Sequence, residues 1–127
     1  MEDASEWIRR ARSDLALARA KSEGVYLEDL CFHAQQAAEK AIKALLIRHG
    51  VRFPYVHDLA VLLKLLEKAR GDLPSHIRRA ARLTRFAVQT RYPGAAPPIS
   101  EEKYQEALKL AVEVLHWAEV QLEGAQR

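Results

Sequence analysis

The sequence predicts an all-α protein, an up-and-down bundle of four main helices plus a shorter extra helix. Three observations predict it. Strong helix formers (Ala, Leu, Glu, Arg, Lys) dominate between a few clusters holding the five glycines and five prolines. Apolar residues recur at three- and four-residue spacing, and no segment sustains the two-residue alternation of a strand. The connections are short, which favours antiparallel neighbours. At 127 residues the chain reads as one helical domain over 1–127, large enough to bury about two-thirds of its unfolded surface.

A first helix is expected from about Asp3 to Ser22. Asp3 with Glu6 three residues on has the form of a capping box. Ile8, Ala11, Leu15 and Ala18 give its apolar stripe, and Gly24 ends it. A second runs from about Leu27 to His49, with a wide stripe whose middle is alanine and which lets a neighbour approach closely. Gln35, Gln36, Glu39, Lys40 and Lys43 are placed on its flanks, and Gly50 is its C-cap. After the loop RFPYVHDL, a third helix carries Leu59, Leu62, Leu63 and Leu66. ARGDLP is a break, and a fourth helix follows Pro74 to about Gln89. RYPGAAPP is a proline-stiffened connection. Ser100 then caps a fifth helix, whose stripe is Tyr104, Ala107, Leu108, Ala111, Leu115, Ala118 and Leu122.

Composition excludes several classes. Met1 leads straight into acidic MEDASEW, so no secretory leader is expected. No apolar stretch approaches the ~20 residues of a membrane span. A cytoplasmic location with no membrane partner is the expectation. Cys31 is the single cysteine, which rules out an intrachain disulfide and a cysteine-based zinc site. His33, His49, His57, His76 and His116 show no HExxH spacing, and there is neither a GxxxxGK[ST] loop nor a GxGxxG. No metal ligands, cofactor or catalytic residue are assigned.

The functional signal is a charge asymmetry. The net charge is only +3, yet residues 73–100 hold Arg78, Arg79, Arg82, Arg85 and Arg91 and no acid. Residues 101–127 hold six glutamates. On a wheel of about 100° per residue, Arg78, Arg82 and Arg85 share one edge of the fourth helix. Ile77, Ala81, Thr84 and Val88 then form the core face, and Leu83 with Phe86 a second apolar surface. Such an edge fits a phosphate groove, since the guanidinium fork binds phosphate bidentately. It fits equally a face paired with glutamates of the fifth helix. Candidate ligand-binding residues are Arg82, Arg85 and Arg91 for phosphate, and Tyr92 or Phe86 for a base. His57, which opens the third helix with Asp58, is a secondary candidate.

Three segments together carry a family resemblance: ARSDLALARA, then CFHAQQAAEKAIKALLIRHGVRFPYVHDLAVLL, then the late TRYPG turn. The chain resembles the HEPN-domain family, named for nucleotide binding in higher eukaryotes and prokaryotes. The resemblance implies homodimers and, for many bacterial members, a minimal nucleotidyltransferase protein partner. Some members bind nucleotides; others are metal-independent ribonucleases of toxin–antitoxin pairs. The ribonucleases carry an Arg, four to six residues, then a His, late in the chain. No histidine lies between His76 and His116, and Arg91 is followed by Tyr92-Pro93-Gly94. Arg52 to His57 has the spacing but sits in the earlier loop. The expectation is a non-catalytic protein binding a nucleotide or RNA phosphate. The alternatives are a ribonuclease with a degenerate site and a helical interaction module without ligand.

Overall fold

In the computed structural model, residues 3–88 and 98–125 are described. Among them, helix α1 spans Ala4–Ala18, α2 Leu27–Arg48, α3 Leu59–Arg70, α4 Ser75–Arg78, α5 Arg85–Val88 and α6 Glu101–Ala125. A 3₁₀ segment, Arg79–Thr84, joins α4 to α5 without a break. The all-α class holds: five helical stretches and no strand among the described residues.

Side-chain bridges fix the directions of the long helices. Trp7 lies by Lys43, and Asp14 bonds His33 and Lys40, so α1 and α2 are antiparallel. Tyr104 reaches Ala18 and Arg12 pairs with Glu119, so α6 is antiparallel to α1 as well. Helix α2 is the central stave, packed on α1 and α6. Its Ala34, Ala37, Ala38, Ala41 and Ala44 are wholly buried, which is what lets two helices close on it at once.

Helix α1 stops at Ala18, short of the expected Ser22. A continuing helix would give the Ala18 carbonyl to the Ser22 amide. Instead that carbonyl accepts the Tyr104 hydroxyl at 2.6 Å, and the chain turns away. Tyr104 is buried, and burial pushes its phenol above the usual value. Tyr104→Phe should therefore cost about 1–2 kcal/mol in urea unfolding, the worth of a buried hydrogen bond whose acceptor is left unpaired. The capping box is only half made: Asp3 accepts from the Ser5 amide at 2.9 Å, while Glu6 turns to Arg9 and Arg10.

Helix α2 ends in a Schellman motif. Gly50 takes φ +69°, its amide donates to Ile47, and the Val51 amide donates to Leu46 at 2.9 Å. Asp58 caps α3 by accepting from the Ala60 amide at 2.9 Å. The Leu59 amide donates to Thr84 Oγ1 at 3.0 Å, which ties the start of α3 to the 3₁₀ segment. Ser100 caps α6 through the Lys103 amide, and Glu28 accepts the Ile99 amide, anchoring the entry to α6 on α2.

The fourth helix differs most from expectation. Its middle is 3₁₀, at three residues per turn, so positions three apart eclipse. Ile77, Ala80, Leu83 and Phe86 therefore form the core row. Ala81 and Thr84, expected in the core, are only half-buried, and Leu83 is fully buried rather than part of a second surface. The same period aligns Arg79, Arg82 and Arg85, not Arg78, on the outer edge. Arg78 leaves that edge and donates from Nε to the Leu73 carbonyl at 3.1 Å. No helix of the described residues is long and apolar enough to cross a membrane.

Candidate anion-binding cavity

The basic edge meets the first half of α6 in an open cavity of about 340 Å³. Among the described residues, Arg82, Arg85 and Lys103 supply the cations, and Glu106 the single carboxylate. Leu83, Phe86, Ala107 and Leu110 form the apolar floor. The 3₁₀ period brings Arg82 and Arg85 to the rim together, while the core row with Leu83 and Phe86 lies beneath them as the floor. Lys103 and Glu106 arrive from one turn of α6, with Ala107 below them.

The charges at the rim are loosely held. Arg82 Nη1 lies 3.4 Å from Glu106 Oε1, and both side chains are more than half exposed. A pair so solvated is worth little. The Arg85 guanidinium sits 4.8 Å from the Phe86 ring centroid. Among the described residues Arg85 and Lys103 have no ion-pair partner. An anion arriving here meets, among the described residues, guanidinium and ammonium groups whose one internal competitor is the exposed Glu106 carboxylate.

Of the sequence candidates, Arg82, Arg85 and Phe86 come together in this cavity. Phe86 contributes as floor rather than as an exposed stacking plate, for it is buried. Arg91 and Tyr92 lie outside the described residues, as does most of the RYPGAAPP connection. His57 belongs elsewhere. Its Nδ1 lies 3.0 Å from Glu39 Oε1, and its carbonyl accepts from Gln35 Nε2 at 3.2 Å. Among the described residues, no histidine lines the cavity.

Gln35, Glu39 and Lys43, expected on the flanks of α2, are in fact buried. Their four-residue spacing puts them in one row facing the 51–58 loop. Glu39 accepts from Gln35, Lys43 and His57. Burial alone would raise its carboxyl, but those hydrogen bonds and the Lys43 charge hold it below the ordinary value. Lys43 Nζ lies 5.4–5.8 Å from the ring centroids of Trp7, Phe53 and Tyr55. This cluster fastens loop, α1 and α2 together; the spacing was readable in the sequence, but the burial was not. A second, smaller network joins Asp14 to His33 Nδ1 at 3.1 Å and to Lys40. Cys31 is buried, and burial foremost pushes its thiol up to about 12, so it is no nucleophile. Among the described residues no group of three His, Cys, Asp or Glu is placed to hold a metal.

Known proteins share this architecture. A crystal structure of ST0689, an archaeal HEPN homologue, matches with a TM-score of 0.78 at 31% identity, over 95% of this chain and 98% of that one. TT1696 from Thermus thermophilus matches with a TM-score of 0.81 at 35% identity, over 94% of this chain and 98% of that one. A protein of Methanocaldococcus jannaschii named "Putative toxin MJ1304" is 29% identical over 93 residues, 68% of this chain but only 61% of that protein's length. The family model for the HEPN domain matches residues 4–121, nearly the whole bundle; the chain belongs to the HEPN domain family.

Proposed function

We propose that this chain is a non-catalytic, homodimeric HEPN protein that binds a nucleotide or an RNA phosphate in the Arg82–Arg85 cavity. It would serve as the substrate-binding partner of a minimal nucleotidyltransferase. The observation that carries the reading is three cations around an apolar floor, with one weakly engaged carboxylate. Guanidinium groups favour phosphate through their bidentate fork, and the apolar floor suits a sugar or base edge.

A second reading draws on the toxin name of the archaean relative: a metal-independent ribonuclease. Cleavage of that kind needs a proton carrier beside the arginines. Among the described residues the cavity lining supplies no imidazole, and His57 is engaged by Glu39. Binding without cutting is therefore the better reading.

Isothermal titration with ATP, GTP and a short RNA at low salt tests it. Saturable heat with at least one ligand is expected, and RNA incubated with the protein in EDTA should stay intact. No heat with any ligand refutes binding; cleavage that is lost in His57→Ala would restore the ribonuclease reading.

A further inference from the structure

We propose that the cavity selects a terminal phosphomonoester over an internal phosphodiester, and that Glu106 is the residue that makes the selection. This rests on the phosphate-binding reading above. Among the described residues, Arg82, Arg85 and Lys103 against Glu106 give the lining a net charge of +2. A phosphomonoester is a dianion above its second ionisation near pH 6, which matches that charge. A phosphodiester carries a single charge and leaves the cavity half neutralised.

Glu106 sharpens the difference. Its carboxylate already stands 3.4 Å from the Arg82 guanidinium. A phosphodiester offers Arg82 the same single charge that Glu106 offers, without the tether, and gains nothing by exchange. A dianion offers twice the charge and two or more acceptor oxygens, so it displaces Glu106. The carboxylate acts as a weak resident competitor that the doubly charged group displaces more readily than a singly charged one. Glu106 lies on the exposed side of α6, and it can be neutralised without disturbing the core.

The phosphomonoester could belong to a free mononucleotide or to the end of an RNA, and two ligand pairs at pH 8 and low salt distinguish these. The first pair is AMP against its 3′,5′-cyclic diester. The second is a 5′-phosphorylated trinucleotide against a 5′-hydroxyl pentanucleotide, which carries the same total charge. Wild-type protein should prefer the monoester by about fivefold in at least one pair, the upper end for one added charge contact at an exposed site. In Glu106→Gln the diester should gain affinity and the preference should fall to about twofold or less. Equal wild-type affinities within both pairs would overturn the proposal while leaving phosphate binding intact. So would an unchanged preference in Glu106→Gln. Absence of binding by any ligand would overturn the underlying reading and this one with it.

Discussion

Glu39→Ala should lower the unfolding free energy by roughly 3–5 kcal/mol, the cost of leaving a buried charge without its partner. Lys43 is nearly as buried as Glu39, and their 2.9 Å ion pair is the only one its ammonium has among the described residues. The surrounding Trp7, Phe53 and Tyr55 rings stabilise a cation but cannot neutralise it. His57 would lose its side-chain acceptor as well, leaving the Gln35 bond to the His57 carbonyl as a remaining tie between the 51–58 loop and α2. Thermal melts followed by circular dichroism should show a loss on the order of 10 °C or more. A change under about 2 °C would mean that the cluster is not a structural fastening. The same carboxyl gives a pH signature. Its folded value is depressed, so its contribution is complete above its unfolded value of about 4.3 and is lost as pH falls through the lower folded value. Wild-type stability should therefore fall more steeply below about pH 4 than that of Glu39→Gln.

Leu83→Ala should cost about 2–5 kcal/mol, as expected for a leucine emptied from a closed core. Leu83 sits in the 3₁₀ row with Ile77, Ala80 and Phe86, between α3 and α6, and also floors the cavity. Its loss should loosen the segment that presents Arg82 and Arg85, so phosphate affinity should drop along with stability. Ala81→Ser, one position from Ala80 but only half-buried, should change stability by less than about 1 kcal/mol. Urea unfolding of the two variants separates the 3₁₀ register from an α-helical one, in which Ala81 would be the core position.

That register marks where the sequence could be read and where it could not. Helices α1, α2, α3 and α6 were legible because their apolar residues follow the α period and their caps are explicit: Asp3, Gly50, Asp58 and Ser100. The 75–88 stretch was legible as helical and misread in its faces. Ile77, Ala80, Leu83 and Phe86 are spaced by three, a pattern a wheel of 3.6 residues smears around the helix. Reading it at three per turn would have found both the core row and the arginine row. The end of α1 was hidden because a tertiary contact, the Tyr104 hydroxyl on Ala18, decides it. The burial of Lys43 was hidden for the opposite reason: a lysine in a helical flank is ordinarily solvated, and only the rings brought by the 51–58 loop and α1 enclose it.

The cavity itself was half legible. Arg82, Arg85 and Phe86 were candidates from charge and spacing, whereas Lys103 and Glu106 join them only because α6 folds back beneath the 3₁₀ segment. Glutamates of the last helix were expected as rivals for the arginines, and one of them, Glu106, does pair with Arg82 at 3.4 Å, in a contact exposed enough for a stronger anion to displace it.

The most direct measurement is a low-salt titration of a nucleotide or short RNA into wild-type protein and into Arg82→Gln and Arg85→Gln. Circular dichroism should confirm that all three remain folded. Each charged hydrogen bond to phosphate is worth about 1.5–3 kcal/mol, so each variant should lose roughly tenfold to a hundredfold in affinity, with both arginines changed together abolishing measurable binding. Wild-type affinity retained in the doubly changed protein would contradict the account, for the ligand would then bind somewhere other than this cavity.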